Sequence, residues 1–229
     1  MIPESFNIYA LIIILGGWIF TVCLHEFSHA LVGYLGGDKS IKKKGYLTFN
    51  PLRYLHPVFS IAIPVVFLLI FGIGLPGAAI TMHRDRMRSK MWHFMASLAG
   101  PLASIILLVL MLIPFWMGVA DPNGNKVVWS AYASLCYLQV IATFINLLPL
   151  PPMDGFSAIS SFLPARLLRH IRGAVIYALF LALVVVLIYV PVVRDNFWGA
   201  VNACSSKIGI PLNLAYDGLY MIRLNLIKI

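Results

Sequence analysis

The chain has 229 residues, of which 61% are hydrophobic and 11% are charged, and its mean hydropathy is +0.90. Soluble domains carry about 25% charged residues, so this composition excludes an ordinary soluble protein and predicts an integral membrane protein of one domain. The excess of 17 Lys and Arg over 8 Asp and Glu does not indicate a nucleic-acid partner, because basic residues collect in the cytoplasmic loops of membrane proteins.

Apolar stretches define the expected architecture, since a helix that crosses a membrane needs about 20 apolar residues. Five stretches approach this length: Ile8 to Leu35, Pro57 to Ile80, Met91 to Met117, Val127 to Leu150 and Gly173 to Val193. We therefore expect an all-α, polytopic protein with about five membrane segments, surrounded by the lipid bilayer of the cell (inner) membrane. The mixed segment Phe197 to Ile229 is expected to include a surface helix.

The longest polar stretch, Gly36 to His56, follows the first apolar segment. It opens with Gly-Gly-Asp, and residues Gly45 to Phe49 alternate in polarity before the turn that Asn50-Pro51 marks. This pattern predicts a small β hairpin after the first helix.

The distribution of Lys and Arg predicts the orientation in the membrane. Five lie in Gly36 to His56, four in Thr81 to Lys90, three in Pro151 to Arg172 and one in Gly118 to Lys126. The positive-inside rule places the first three loops in the cytoplasm and the last outside. Because two consecutive basic loops flank Pro57 to Ile80, this segment either re-enters as a hairpin shielded by protein or is a tilted span that breaks the charge rule.

Two acidic residues differ from the others in their surroundings. Glu26 lies inside the first apolar segment, and Asp154 lies just past the end of the fourth. A charged side chain at the bilayer centre costs about 2.5–3.5 kcal/mol on insertion scales, which makes such a residue a functional-site candidate.

Glu26 belongs to the sequence His-Glu-Phe-Ser-His at residues 25–29. On a helix, His25 and His29 lie one turn apart on the same face, near enough for both rings to bind one metal ion. Glu26 then lies beside the metal and can reach a water whose pKa zinc lowers to about 7. A chance match would place three polar residues in apolar surroundings without any gain, so the motif predicts a hydrolytic zinc site.

A catalytic zinc needs a third protein ligand and an open position. A downstream glutamate is excluded, because Glu26 is the last glutamate in the chain. The remaining candidates are Asp154, His56, His83, His93 and His170. The four histidines lie near segment ends beside Lys or Arg, where an interfacial role is more common. Asp154 follows a proline-rich, helix-breaking stretch of the kind that can line a cavity between helices, and is favoured.

Together these motifs resemble the site-2 protease family of intramembrane zinc metalloproteases. The resemblance covers about residues 21–156 and rests on five sequences: His-Glu-Phe-Ser-His at 25–29, Asn-Leu-Leu-Pro-Leu-Pro-Pro-Met-Asp-Gly at 146–155, Gly36-Gly37-Asp38, Asn50-Pro51-Leu52-Arg53 and Ala99-Gly100-Pro101. It implies one Zn²⁺ per chain, held by His25, His29 and Asp154. It also implies Glu26 as the general base and Asn146 as a residue that steadies the substrate or the oxyanion.

The resemblance further implies a single membrane-embedded metalloprotease domain over residues 1–229, in a minimal form without a PDZ or CBS domain. Its catalytic core is expected at about residues 8–165, with a C-terminal helix and tail at 166–229. The expected partner is a transmembrane helix of a membrane-protein substrate. Three residues depart from the pattern of many relatives, none of them at a proposed ligand: Ser104 replaces asparagine, His56 replaces aspartate and Phe156 replaces glycine.

The alternative function is a catalytically silent metal-binding membrane scaffold or a metal transporter. A transporter would be expected to place polar groups along a path through the membrane. This chain instead concentrates them at one level, and it retains Glu26, which a silent scaffold would be expected to lose. Both observations favour the enzyme.

Overall fold

The computed structural model describes residues 6–50, 53, 83–121, 123–171 and 174–223. This part of the chain is mostly α-helical. Its helices are α1 (Ile8–Leu35), α2 (Ser40–Lys43), α3 (Lys90–Trp116), α4 (Lys126–Asn146), α5 (Asp154–Ser160), α6 (Ala165–His170), α7 (Ala174–Tyr189), α8 (Pro191–Lys207) and α9 (Leu212–Ile222). A 3₁₀ turn, Arg84–Arg86, precedes α3.

Within the described ranges, three helices are long and apolar enough to cross a membrane: α1, α3 and α4. Among the same residues, a fourth crossing forms only if α7 and α8 make one broken span, in which residues 178–189 and 191–207 meet at 86°. These helices support a membrane protein. The prediction of five membrane segments is not confirmed, and the stretch Pro57 to Ile80 lies outside the described residues.

Polar side chains fix where the three long helices begin. Asn7 accepts hydrogen bonds from the backbone N–H groups of residues 9 and 10, Ser89 accepts one from Trp92, and Asn125 accepts one from Val128. Each cap satisfies backbone donors that have no partner in the first helical turn. The first and third apolar stretches therefore match α1 and α3 closely, whereas α4 ends at Asn146, before the proline-rich loop 147–153.

Helix α4 is the centre of the fold. Of the residues in the most apolar part of α4, 72% are buried, against 33% in the corresponding parts of α1 and α3. Helices α1, α3 and α9 all pack against α4. The contact with α9 is close because residue 218 is glycine: a Cβ there would lie 2.2 Å from Ser134 Oγ. Ser134 Oγ also donates to Ala215 O at 2.7 Å. Helix α9 therefore packs one face against the core, while Tyr216 and Tyr220 on its other face are exposed. The surface helix expected in this segment stays a prediction.

The predicted β hairpin is wrong, because the described residues contain no strand. Helix α2 and a following bend occupy this region, and Tyr46 N donates to Ile41 O at 3.1 Å to close the turn. Phe49 stacks on Phe27 of α1, with ring centroids 4.7 Å apart. Among the described residues, Gly45 to Phe49 have no partner strand, and local turns and the contact with α1 hold this segment instead.

Candidate metal centre

Three side chains that the sequence predicted as ligands meet at one point. His25 Nε2 lies 3.0 Å from Asp154 Oδ2, and His29 Nε2 lies 3.2 Å from Asp154 Oδ1. The two Nε2 atoms are 3.1 Å apart. Among the described residues, this is the group of His, Cys, Asp or Glu side chains that could hold a metal ion. Residues 129 positions apart in the chain are thus brought together as the two motifs predicted.

The protein interior encloses the motif on α1. His25, Glu26 and His29 are 8%, 4% and 3% exposed, respectively. All three lie in the second half of an apolar helix, so α1 turns this polar face toward α3 and α5 rather than outward. Burial of three polar side chains is costly unless each has a partner. The contacts around them should therefore show what stabilises them there.

Helix α3 orients both imidazole rings. His29 Nδ1 donates to the backbone carbonyl of Ala96 at 2.6 Å, and His25 Nδ1 lies 3.0 Å from Ser104 Oγ. A histidine with Nδ1 protonated presents the lone pair of Nε2, and such outer contacts fix the tautomer of metal-binding histidines. Sequence reasoning did not predict either contact. A backbone carbonyl gives no signal in the sequence, and Ser104 was noted only as a departure from the asparagine of many relatives.

Gly100 of α3 keeps the space beside the rings open. A Cβ at this position would lie 2.2 Å from His29 Nε2 and 2.6 Å from His25 Nε2, well inside contact distance. The backbone of α3 therefore faces the two nitrogens directly, and only glycine leaves room for a ligand there. The Ala99-Gly100-Pro101 sequence was recognised as a similarity, and its physical role emerges only from this contact.

Asp154 reaches the site because the loop before it folds tightly. A Cβ at Gly155 would lie 2.2 Å from Leu147 O, so the small residue after Asp154 lets α5 start against the loop backbone. Burial by itself would raise the pKa of the Asp154 carboxyl. The neighbouring imidazoles, His29 first, instead hold that pKa below its usual range. An ionised carboxylate and two imidazoles are a donor set that suits zinc.

The other candidate ligands lie elsewhere. His93 Nδ1 is 2.7 Å from Ser161 Oγ, and His83 Nε2 is 3.2 Å from Lys44 Nζ, so neither belongs to the three-residue group. His56 and the side chain of His170 lie outside the described residues. Asn146 is the last residue of α4 and is partly buried; its catalytic role stays a prediction.

Curated proteins from three bacteria are similar to most of this chain. "Putative zinc metalloprotease Rip2" of Mycolicibacterium smegmatis is 38% identical over 215 residues, and the protein of the same name in Mycobacterium tuberculosis is 35% identical over 212; each match covers 93% of this chain and 80% of the relative. "Putative zinc metalloprotease YwhC" of Bacillus subtilis is 29% identical over 198 residues, covering 83% of this chain and 86% of the relative.

No protein-family model and no solved structure matches the chain. The relatives' names support a zinc metalloprotease role, and the group formed by His25, His29 and Asp154 agrees with it. Sequence identity of 35–38% to the Rip2 proteins over nearly the whole chain establishes homology. The chain belongs to the site-2 protease family of zinc metalloproteases.

Proposed function

We propose that this protein is an intramembrane zinc metalloprotease, which hydrolyses peptide bonds in or near the transmembrane segments of membrane-protein substrates. The observation that carries the proposal is the meeting of His25, His29 and Asp154 between helices apolar enough to cross a membrane. Costly polar groups inside such helices are expected where they serve a reaction.

One Zn²⁺ per chain would be held by His25, His29 and Asp154. Two imidazole nitrogens and one carboxylate are a ligand set of catalytic zinc sites, which keep a further position open. Gly100 supports this fit, since it leaves space next to both Nε2 atoms. Zinc would supply Lewis-acid chemistry there, lowering the pKa of a water to about 7 and polarising the substrate carbonyl.

The protein's own residues would move the protons. The carboxylate of Glu26 accepts a proton from the attacking water and then donates it to the nitrogen of the leaving amine, so the same group acts as base and as acid. Its burial limits exchange with bulk water. The side-chain amide of Asn146 is proposed to donate a hydrogen bond to the carbonyl oxygen as negative charge develops on it.

The site lies near one end of the helices. His29 is six residues before the end of α1 and Ala96 is six residues after the start of α3, which corresponds to a depth of about 9 Å at 1.5 Å per residue. Asn146 lies at the end of α4. The basic residues within 39–44, just after α1, and within 84–90, at the start of α3, lie at this end. We propose that this end faces the cytoplasm. A substrate helix would have to unwind locally, because hydrogen bonds shield its peptide groups.

The test combines metal content with cleavage. Elemental analysis of the purified protein is expected to find one zinc per chain, which Asp154→Ala loses and Asp195→Ala, a change of an exposed acid on α8, retains. Tagged membrane-protein substrates are expected to be cleaved, and a chelator is expected to stop cleavage until zinc is restored. Zinc binding without any cleavage would favour a scaffold. Unchanged zinc affinity in Asp154→Ala would remove this residue from the site and promote His56.

A further inference from the structure

Arg84 differs from the other basic residues of its loop in what its guanidinium contacts. Nη1 donates to Ser160 O at 2.9 Å and Nη2 donates to Ser161 O at 2.6 Å. Arg86 and Arg88 of the same loop are exposed. Ser160 is the last residue of α5 and Ser161 is its C-cap. A forked cation therefore closes the far end of the helix whose first residue is Asp154.

This contact matters because α5 is short. A helix of seven residues is not stable by itself, and its last carbonyl groups have no partner within the helix. A positive charge at a helix C-terminus is favourable, and an arginine that donates from two nitrogens also restricts orientation. Arg84 thus stabilises the C-terminus of α5 and restricts the orientation of this helix.

The segment that contains Arg84 is hydrogen-bonded, through residues on either side of it, to the residues that follow α1. Its neighbour His83 donates from the backbone N to Asp38 Oδ2 at 2.9 Å, and Arg88 N donates to Gly36 O at 2.8 Å. Asp38 is fully buried. A continuous set of contacts therefore connects the helix that carries the two histidines to the helix that carries Asp154.

The histidines do not depend on this connection for their orientation, since their rings are held by Ala96 O and Ser104 Oγ on α3. Helix α5 has additional contacts with α3, including Ser97 Oγ to Ser157 Oγ at 2.9 Å. Loss of the Arg84 contacts should consequently shift α5 without unfolding it, and Asp154 should be the ligand affected.

We propose that Arg84 is a positioning residue of the metal centre, whose two hydrogen bonds to the end of α5 keep Asp154 within reach of His25 and His29. The proposal rests on the proposed function, because it requires Asp154 to bind the metal. From the sequence, Arg84 served only as one of the basic residues that predict orientation in the membrane; the proposal gives it a role at the metal centre.

Cobalt(II) is the probe, because its visible absorption depends on the geometry of its ligands. Full-length protein in detergent is freed of metal and titrated with Co²⁺ for wild type, Arg84→Gln, Arg86→Gln and Asp154→Ala. Arg84→Gln is expected to weaken the cobalt Kd about 10-fold or more, as changes of outer contacts typically do, and to change the absorption bands. Arg86→Gln is expected to match wild type in both.

A cobalt Kd and spectrum of Arg84→Gln equal to wild type would overturn the proposal, provided that Asp154→Ala loses binding. Wild-type binding by Asp154→Ala would instead contradict the proposed ligand set itself. If Arg84→Gln does not purify as a folded protein, Arg84→Lys decides. It keeps the charge but lacks the planar fork, so an altered spectrum with a weaker Kd is expected, and an unchanged one overturns the proposal.

Discussion

Ser104 Oγ lies 3.0 Å from Nδ1 of His25, across the interface between α3 and α1. Both side chains are buried, at 5% and 8% exposed. The hydroxyl can accept a hydrogen bond from the N–H group at Nδ1, which leaves the lone pair of Nε2, on the side of Asp154, available to a metal ion. A serine that seemed only a departure from the asparagine of many relatives is therefore a contact of the candidate metal centre.

Ser104→Ala is expected to weaken zinc affinity by about 10- to 100-fold, because the His25 ring loses the partner that fixes its tautomer and orientation. The measurement is competition for zinc with a chromogenic chelator. Ser28→Ala is the matched control: Ser28 lies next to His29 in the sequence, but its hydroxyl donates to Leu24 O of its own helix. Equal zinc affinity in the Ser104 variant and wild type would show that the contact with His25 has no function.

Gly100→Ala is expected to abolish metal binding. The new methyl group would have to occupy a position 2.2 Å from His29 Nε2, which neither the α3 backbone nor the buried ring can accommodate without moving. Gly16→Ala on α1 is the control, since a Cβ there meets nothing within 4 Å. Zinc content and thermal melting of both variants are measured side by side. Full zinc occupancy in Gly100→Ala would mean that the metal lies elsewhere.

The two basic loops after α1 and before α3 are expected to lie on the cytoplasmic side. The hydrogen bonds from Arg88 N to Gly36 O and from His83 N to Asp38 Oδ2 place them at the same end of the helices. Lys43→Cys and Arg86→Cys, each in a Cys204→Ser background, should both react with an impermeant thiol reagent only from the inside. Asn123→Cys should react only from the outside.

Labelling of positions 43 and 86 from opposite sides would contradict these contacts. It would also show that the stretch Pro57 to Ile80 crosses the membrane completely. Labelling of both from the outside would preserve the contacts and reverse the orientation that the positive-inside rule predicts.

The sequence predicted the features that depend on local spacing or on the cost of burying charge. The i, i+4 pair of His25 and His29 and the carboxylate of Asp154 were identifiable because few other polar groups lie in apolar segments. The bounds of α1 and α3 followed closely from the apolar stretches Ile8 to Leu35 and Met91 to Met117. In contrast, the hairpin prediction failed because five alternating residues specify a strand only when a partner strand is present.

The contacts that hold the site were beyond sequence reasoning for a different physical reason. Ala96 contributes a backbone carbonyl, which every residue carries, and Gly100 contributes the absence of a side chain. Arg84 acts on α5 through backbone oxygens 76 and 77 positions later in the chain. Such effects depend on which faces of the helices pack against each other, and the spacing of residues along one segment does not predict that.

Glu26→Gln separates the proposed base from the proposed ligands. Glutamine is nearly isosteric with glutamate and is neutral, so its burial on α1 should not destabilise the fold. His25, His29 and Asp154 remain, so zinc should stay bound. The group that would be lost accepts the proton of the water and returns it to the leaving amine. General acid–base groups contribute about 10²–10⁴-fold to rate, and an amide leaves poorly without that proton.

The measurement pairs substrate cleavage with zinc content in the same preparation. Glu26→Gln is expected to retain full zinc and lose cleavage by at least about 10²-fold. Glu4→Gln, which changes the other glutamate of the chain, is expected to keep both. Cleavage near the wild-type rate in Glu26→Gln would exclude this residue as the base. Loss of zinc together with cleavage would show that the carboxylate also supports the metal, because its charge near the two histidines would then be part of what makes the site bind a cation.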